Sequence, residues 1–338
     1  MSYITFLENL PIIPLDEILR AMSIDELFAV ARASPGLKKY IPLLKMASGE
    51  CYVYFGSRDS RIVLSGHDKY YSTYFMDPET ALEYVDDQMN TLMSILKGDV
   101  EYMNVCPSVL WRDFSGSTNV LAVGLWEQEY SKWEREHMED VSEEDINYLL
   151  DNIDFKKGLA LNGPKELKTE HKKVFNIDWL RLSHTKWVTP EILRKLRNKI
   201  IYLGNVWLSP KDINEYIMDL VAGNGNSNLQ VITFQQRYDE NEKSEIMEGL
   251  DLVRNDQPQF YKFSEEDSKM HMQEFLAVGS SKGIEISDSL DFLREDGVRC
   301  SLVFDYESVT VYVWNQERNG KKQRCEEVEG PSVKRFRN

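Results

Sequence analysis

The chain has 338 residues, of which 42% are hydrophobic, enough to fill the cores of two or three domains. Its 56 acidic residues outnumber the 40 basic ones and give a net charge of -16 at pH 7, which argues against general nucleic-acid binding and is compatible with basic partners. No stretch approaches the roughly 18 uncharged apolar residues of a membrane span, and the N-terminus lacks the basic start of a signal peptide, so we expect a soluble, cytoplasmic protein.

Three short helices are predicted within residues 7–41. The first has apolar side chains spaced along one helical face, which are Leu15, Ile18, Leu19 and Met22. Ser23 with Glu26 forms a capping box that begins the second helix, and Ser34 followed by Pro35 begins the third. Segments of about 40 residues seldom fold without a metal, a disulfide or a partner. Because this one contains no Cys or His, we expect it to bind a partner, the alternative being a helical hairpin that packs on its own domain.

From residue 46 onward, short apolar runs typical of strands alternate with amphipathic helical patterns. Two of the runs flank a turn signal and predict a strand pair, and the later ones recur about every 20 to 40 residues. The predicted strands lie at residues 51–55, 61–64, 100–105, 120–126, 159–161, 179–182, 200–203 and 229–234.

Helix start signals stand between these runs. Asp77 and Pro78 begin a long amphipathic helix that ends near Gly98. Three further starts are Ser142 with Asp145, Thr189 with Pro190, and Ser209 with Asp212. The helix after Ser142 is expected to carry Ile146, Leu149, Leu150 and Ile153.

The alternation predicts a stacked α/β solenoid or, alternatively, a compact mixed sheet. Residues 179–182 and 201–205 approximate the core pattern of a leucine-rich repeat, which favours stacking. The Gly-rich segment at residues 223–226 follows a helix and precedes a strand, so it predicts a helix stop and turn and not a phosphate-binding loop.

The C-terminal third predicts β-structure. Strands are expected at residues 284–286, 298–304 and 309–314, the last of them half-buried because Val alternates there with Thr and Tyr. They form either a meander that closes the sheet or a cap on the open end of a solenoid. The polar tail at residues 317–338 carries two basic clusters, which fit either a bipartite nuclear import signal or a disordered charged tail.

We find no catalytic constellation. The four cysteines are far apart and the five histidines have no partner at metal-ligand spacing, so we predict no catalytic residue, no cofactor and no metal. Four clustered aromatic residues offer either a recognition patch or ordinary packing; they are Tyr70, Tyr71, Tyr74 and Phe75.

The N-terminal segment resembles the F-box, a module that binds the adaptor subunit of a cullin-based ubiquitin ligase. The resemblance is carried by Leu10, Pro11, Ile18, Leu19, Met22, Leu27, Val30, Leu37 and Ile41. It implies adaptor binding through Leu10, Pro11, Ile18, Leu19, Leu27 and Val30. One departure is Pro35-Gly36, which stands where many F-boxes place larger residues.

A second resemblance, over about residues 170 to 236, is to the type 2 F-box-associated domain, which accompanies F-boxes and is presumed to recognise the substrate. Its core is the run Asn205-Val206-Trp207-Leu208-Ser209-Pro210-Lys211-Asp212-Ile213-Asn214, which opens a capped helix that ends before Gly223-Asn224.

These patterns predict an α+β multidomain chain. Its expected parts are an F-box (3–45), an irregular leucine-rich-repeat-like α/β region (46–170), the F-box-associated domain (171–236), a β-rich cap (237–316) and the tail. The resemblance implies a non-catalytic substrate-recognition subunit of an SCF-type ubiquitin ligase, acting in protein degradation with the adaptor and a protein target as partners. The alternative is a protein-interaction scaffold that recruits no ligase.

Overall fold

The computed structural model describes residues 7–22, 24–40, 50–55, 60–66, 69–75, 100–105, 116–123, 142–162, 168–263 and 284–314. These residues form a mixed α/β protein with one large sheet. The helices are α1 (Ile12–Ala21), α2 (Ile24–Ala33), α3 (Pro35–Lys38), α4 (Glu143–Asn152), α5 (Lys172–Asn176), α6 (Pro190–Lys195), α7 (Pro210–Val221) and α8 (Glu240–Ile246). Within these ranges, no helix combines the length and the apolar character needed to cross a bilayer.

Fifteen strands lie within the same residues. They are β1 (Glu50–Phe55), β2 (Ser60–Gly66), β3 (Lys69–Phe75), β4 (Val100–Val105), β5 (Gly116–Val123), β6 (Ile153–Leu161), β7 (Trp179–Leu182), β8 (Ile200–Gly204), β9 (Val231–Gln235), β10 (Val253–Asn255), β11 (Gln259–Tyr261), β12 (Ile284–Ile286), β13 (Ser289–Leu293), β14 (Arg299–Phe304) and β15 (Ser308–Val313). Thirteen of them pair side by side in one sheet, and β11 and β12 pair with each other.

The centre of the sheet is parallel and grows in chain order. β1 pairs with β4, and β4 to β9 then follow one another, each parallel to the last. Both ends of the sheet are antiparallel: β2 and β3 extend it beyond β1, while β15, β14, β13 and β10 extend it beyond β9. Consecutive parallel strands need a crossover on every step, and the described helices α4 to α7 lie in or beside these crossovers.

One row of side chains shows how the strands stack. In the register of the sheet, eight residues from eight neighbouring strands stand side by side, and each is 0% exposed. They are Met103, Leu121, Leu159, Leu180, Ile201, Ile232, Val311 and Leu302. Fully burying one such side chain contributes about 1.5 to 3 kcal/mol relative to exposure. We call this row the core ladder; it runs through both the parallel strands and the antiparallel end.

The helix caps predicted from the sequence are confirmed in the described part of the chain. Ser142 with Asp145 and Ser209 with Asp212 form reciprocal capping boxes at α4 and α7. The Thr189 hydroxyl accepts the third backbone N–H at the start of α6. These bonds satisfy amide groups that the first turn of a helix leaves unpaired.

The predicted stop after α7 is also confirmed. The helix ends at Val221, and Gly223 follows with φ of +70°, a conformation that L side chains rarely adopt. The backbone N–H groups of Asn224 and Gly225 donate to the carbonyl of Asp219, which closes the last turn.

Three predicted element boundaries are wrong. The helix that starts after Ser142 ends at Asn152 and does not include Ile153, because Ile153 opens β6 and pairs with Gly116 of β5. β5 and β6 therefore begin before their apolar runs at residues 120 and 159. The first residues of β6 alternate between apolar and polar side chains, whereas β5 starts with Gly116, Ser117, Thr118 and Asn119. Strand pairing, and not a continuous apolar pattern, holds both segments.

β15 was predicted to be half-buried, and this is wrong as well, because both of its faces are covered. Val309, Val311 and Val313 belong to the core on the helix side of the sheet. Thr310 and Tyr312 face the other way and are 4% and 6% exposed. The opposite face is covered here by the small β11–β12 sheet, whose Tyr261 ring lies 5.3 Å from that of Tyr312.

The third of the N-terminal helices has its predicted cap and is short. Ser34 accepts the Leu37 N–H at 3.1 Å, which confirms the predicted cap of α3. α3 is a single turn, so Tyr40 lies beyond its end and is 40% exposed. The buried side chains of this segment join the main core cluster; they are Leu7, Leu15, Leu19, Leu27, Val30, Ala31 and Leu37.

Several predictions fall outside the described residues. They are the helix at residues 77–98, the Ser23 cap, Ile41 of the third helix and the basic tail at 317–338. Of the aromatic residues at 70–75, the structure describes the backbone of β3 alone.

Candidate interaction surface

The two faces of the large sheet differ in what covers them. Buried side chains from α1 to α8 pack with one face. The opposite face has its own cluster, made in the described chain by strand residues with Phe263 and Trp314. We call this second side the open face. A groove of about 450 Å³ lies on it, bordered by β8, β9, β14, β15, β12 and the β14–β15 turn. Volumes of roughly 300 to 1,000 Å³ are usual for ligand-binding clefts.

The floor of the groove is a polar row across three strands. Tyr202 of β8, Thr233 of β9 and Thr310 of β15 are paired in register. The two threonine hydroxyls lie 3.1 Å apart, and the residues are 7% and 4% exposed. One hydroxyl donates to the other, so the second proton has no acceptor among the described residues. A buried hydroxyl donor at the bottom of a groove suits a ligand that presents an oxygen.

The walls of the groove are acidic. Glu285 of β12 stands on one side, and Asp305 and Glu307 come from the turn between β14 and β15. This turn is closed by the Asp305 N–H, which donates to the Ser308 carbonyl at 2.9 Å. Within the described part of the chain, these three carboxylates make no ion pair or side-chain hydrogen bond, and the described residues that line the groove include no Lys or Arg. Carboxylates that line a groove without a basic partner favour a cationic ligand.

Aromatic rings complete the lining. The Arg181 guanidinium lies 4.4 Å from the Tyr202 ring centroid, and that of Arg237 lies 4.6 Å from the Tyr306 centroid. Tyr306 is nevertheless 70% exposed. Burial raises the pKa of the Tyr312 hydroxyl, and the charge of Asp305 raises it further, so this hydroxyl stays protonated at neutral pH. Rings that already carry guanidinium groups show that cation–π contacts suit this surface.

Beside the groove, the segment after β8 presents an exposed tryptophan. Trp207 is 69% exposed, with the Lys186 ammonium 5.0 Å from its ring centroid. Its position follows from Gly204 and Asn205. A Cβ at Gly204 would lie 2.8 Å from the Ser183 carbonyl oxygen, so only glycine allows this close approach. Asn205 has φ of 48° and its amide donates to the same carbonyl at 2.9 Å, which fixes the exit of the chain.

The six residues predicted to bind the adaptor lie in three environments. Buried ones, each at most 4% exposed, are Leu19, Leu27 and Val30. Partly buried ones that pack against the core are Leu10 and Ile18. Pro11 is exposed and precedes the first residue of α1. The structure therefore brings the six together in one helical segment, with half of them inside it.

Two histidines and one cysteine have side chains whose contacts or burial the structure describes. No cluster of three or more His, Cys, Asp or Glu side chains suited to a metal ion occurs among the described residues. His171 caps α5 and lies 3.0 Å from an Asp151 carboxylate oxygen, and the His184 ring contacts the Asn205 amide at 3.1 Å. Cys300 is a buried free thiol whose pKa burial raises to about 12.

Sequence reasoning missed the groove. Glu285 and Tyr306 received no functional prediction, and the strand pattern located β12, β14 and β15 without showing that they converge with β8 and β9. A usable signal was present in the β14–β15 connection, where a tight turn places Tyr306 between two acidic residues. Large aromatic residues at turn tips are unusual unless they pack or bind, because Gly, Asn, Asp and Ser dominate such positions.

Comparison of the chain with models of protein families, with curated proteins and with solved structures found no match. The resemblances to the F-box and to the type 2 F-box-associated domain therefore rest on the residues quoted for them.

Proposed function

We propose that this chain is the substrate-recognition subunit of an SCF-type ubiquitin ligase. The observation that carries the proposal is the combination of a three-helix segment the size of a docking module with an α/β body whose open face holds an acidic, aromatic groove. The first part resembles the adaptor-binding F-box. The second offers a surface on which a protein target could be held.

On this proposal, the α/β body is a leucine-rich-repeat-like scaffold. Support comes from the core ladder, in which each strand adds one buried side chain to the same row, and from the chain-order growth of the parallel strands. Repeat architectures of this kind contact mainly their neighbours and present an extended surface made of one residue set per repeat. The antiparallel strands β13 to β15 cover the last repeat, the role that a C-terminal cap would have.

Burial divides the proposed adaptor-binding residues by role. Pro11 is exposed and Leu10 and Ile18 are partly exposed, so these three would contact the adaptor directly. Buried side chains such as Leu19 and Leu27 would act by holding the helical segment in the core cluster. Truncation of the exposed group should weaken binding without unfolding the segment, whereas truncation of the buried group should do both.

Such a subunit accelerates ubiquitin transfer without a catalytic residue of its own. Holding a target near the ubiquitin-loaded enzyme replaces a bimolecular encounter with a high effective concentration. This fits a chain in which His171, His184 and Cys300 have the structural environments described above.

The test is co-purification of the full chain with the ligase adaptor. The wild-type chain is expected to capture the adaptor, and the double variant Leu10→Ala with Pro11→Ala is expected to lose at least tenfold in affinity, since two contact side chains are removed. Pro14→Ala is the matched control, because Pro14 is another exposed proline of the same helix. Absence of adaptor binding by the wild-type chain, or equal binding by the double variant, would refute the proposal.

The burial of Leu19, Leu27 and Val30 favours one second candidate, an interaction scaffold whose N-terminal helices simply pack on the rest of the chain. On that reading the chain binds protein partners through the open face and fails to capture the adaptor. The same co-purification therefore separates the two candidates.

A further inference from the structure

We infer that the groove on the open face binds an extended, basic peptide segment, with Lys or Arg side chains against Glu285, Asp305 and Glu307. The inference deepens the proposed function by naming the class of target, and it rests on that function only for the claim that the peptide belongs to a protein to be ubiquitinated. Binding of the peptide itself needs no adaptor.

The charge of the groove selects a cation. Its three carboxylates have no ionic partner within the described part of the chain, and the whole chain carries a net charge of -16, which attracts basic partners over longer distances. Arg181 and Arg237 border the site, but each guanidinium lies on a tyrosine ring and makes no ion pair with these acids. A phosphate-bearing ligand such as a nucleic acid would be repelled by the same walls.

The spread of the acids points to a side-chain cation instead of a metal ion. Glu285 comes from β12, whereas Asp305 and Glu307 come from the β14–β15 turn. Among the described residues no three such groups converge closely enough to hold a metal ion. Carboxylates distributed along a groove match cations distributed along a chain, as on a basic peptide.

The floor of the groove selects a peptide over a small amine. The Thr233–Thr310 pair has one hydroxyl proton without an acceptor in the described structure, and the pair is buried beneath the groove. A peptide carbonyl supplies the missing acceptor, which removes the cost of an unpaired buried donor. A small ammonium or guanidinium ion has only donors and cannot do so.

The exposed ring of Tyr306 gives the segment a place to stack. Arg237 already lies on this ring, which shows that its face accepts a guanidinium, and 70% of the residue remains accessible. Cation–π contacts contribute about 0.5 to 1 kcal/mol at exposed sites. Tyr is also enriched among interface residues that dominate binding energy.

The experiment measures fluorescence anisotropy of labelled ten-residue peptides against the full chain. One peptide alternates Arg or Lys with Ser and Gly, and its partners of equal length carry Gln or Glu in place of the basic residues. We expect binding of the basic peptide that weakens as salt is raised, and at least tenfold weaker binding of the other two.

Variants then locate the site. Asp305→Asn with Glu307→Gln should reduce affinity by roughly tenfold, since each lost exposed ion pair contributes a factor of about 2 to 5. The matched control is Glu191→Gln with Glu245→Gln, which changes the net charge equally at exposed positions on α6 and α8. Tyr306→Phe keeps the ring and should retain binding, whereas Tyr306→Ala should weaken it by about 2- to 5-fold through loss of the cation–π contact.

Two results would overturn the inference: failure of the basic peptide to bind more tightly than its Gln partner, or equal weakening in the groove and control variants. Because the assay contains no adaptor, a negative result here leaves the co-purification result intact, and loss of adaptor capture leaves peptide binding intact.

Discussion

The side-chain amide of Asn226 donates to the backbone carbonyl of Asn198 at 2.7 Å, and the two residues are 2% and 0% exposed. Asn198 in turn donates to the carbonyls of Val174 and Ile177 at 2.9 and 2.6 Å. The two asparagines therefore link three successive strand–helix units just before β7, β8 and β9. They satisfy buried carbonyls that no strand or helix pairs.

The hydrogen bond from Asn226 to Asn198 predicts that truncation of Asn226 lowers the stability of the fold. Asn226→Ala leaves the buried Asn198 carbonyl without its donor, so the free energy of unfolding should fall by about 1 to 3 kcal/mol. Asn224→Ala is the control, because Asn224 is exposed in the same turn and should change stability by less than about 0.5 kcal/mol. Urea unfolding followed by tryptophan fluorescence measures both. Equal stability of the two variants would show that the link is not needed.

The core ladder predicts a larger loss of stability when a residue at its centre is truncated. Leu180 is 0% exposed between Leu159 and Ile201, and Leu180→Ala should lower the free energy of unfolding by about 2 to 5 kcal/mol through lost burial and the cavity left behind. Leu293→Ala makes the same chemical change at a residue that is 64% exposed and should cost less than about 0.5 kcal/mol. The comparison is made by urea unfolding at one pH, and a cost below 1 kcal/mol at Leu180 would contradict the buried row.

Cys300 predicts a dependence of stability on alkaline pH. Burial raises the pKa of its thiol from 9.0 to about 12 in the folded chain. Between these values the unfolded chain has lost the proton and the folded chain keeps it, so the free energy of unfolding falls as pH rises, by about 1.4 kcal/mol per pH unit from this group. The contribution is fully present below about pH 9.

Cys300→Ala removes this titration, and its unfolding free energy should fall less steeply than that of the wild-type chain between pH 8.5 and pH 10.5. A constant offset from the lost side chain is expected at every pH. The tyrosines whose pKa values are raised by burial titrate in both proteins, so their contributions cancel when the two pH profiles are subtracted. Parallel pH profiles for the two proteins would contradict a buried thiol.

Much of the sheet could be predicted from the sequence because its signals are local. β7 coincides with the predicted run at residues 179–182, since strands buried on both faces read as continuous apolar segments. The helices after Ser142 and Ser209 were predicted from cap residues three positions from their acidic partners, and the helix after Thr189 from a cap residue followed by Pro190. Both signals depend on residues that are close in the sequence, so they can be recognised without knowledge of the tertiary structure.

The groove could not be predicted because its parts come together only in the folded chain. Tyr202 and Thr310 share a row of the sheet although more than a hundred residues separate them. β12 was predicted at residues 284–286, but β11, its pairing partner, is three residues long and carries too short a pattern to identify. Tyr261 holds these two strands over the open face through its hydroxyl, whose single proton is shared between the carbonyls of Gln230 and Val313, both at 3.2 Å; no local pattern encodes these contacts.

Pro35-Gly36, where the chain departs from the F-box pattern that it resembles, leads to a prediction about α3. A Cβ at Gly36 would lie 3.5 Å from the Ser34 hydroxyl oxygen and 3.9 Å from a Glu8 carboxylate oxygen, which are ordinary contacts. Gly36→Ala should therefore stabilise this helical turn by about 0.5 to 1 kcal/mol, because Ala loses less backbone entropy than Gly in a helix. Slower hydrogen exchange over residues 34–40, where the Lys38 N–H donates to the Ser34 carbonyl, reports the effect locally.

Replacement of Gly223 by Ala should have the opposite effect on stability. Gly223 has open space around it but a φ of +70°, so Gly223→Ala is strained by its backbone and should destabilise the end of α7 by about 1 kcal/mol.

If adaptor binding requires an ordered third helix, Gly36→Ala should bind the adaptor at least as tightly as the wild-type chain, while Gly223→Ala leaves that affinity unchanged. Faster exchange over residues 34–40 in Gly36→Ala would mean that α3 needs glycine for its conformation, contrary to the helical geometry.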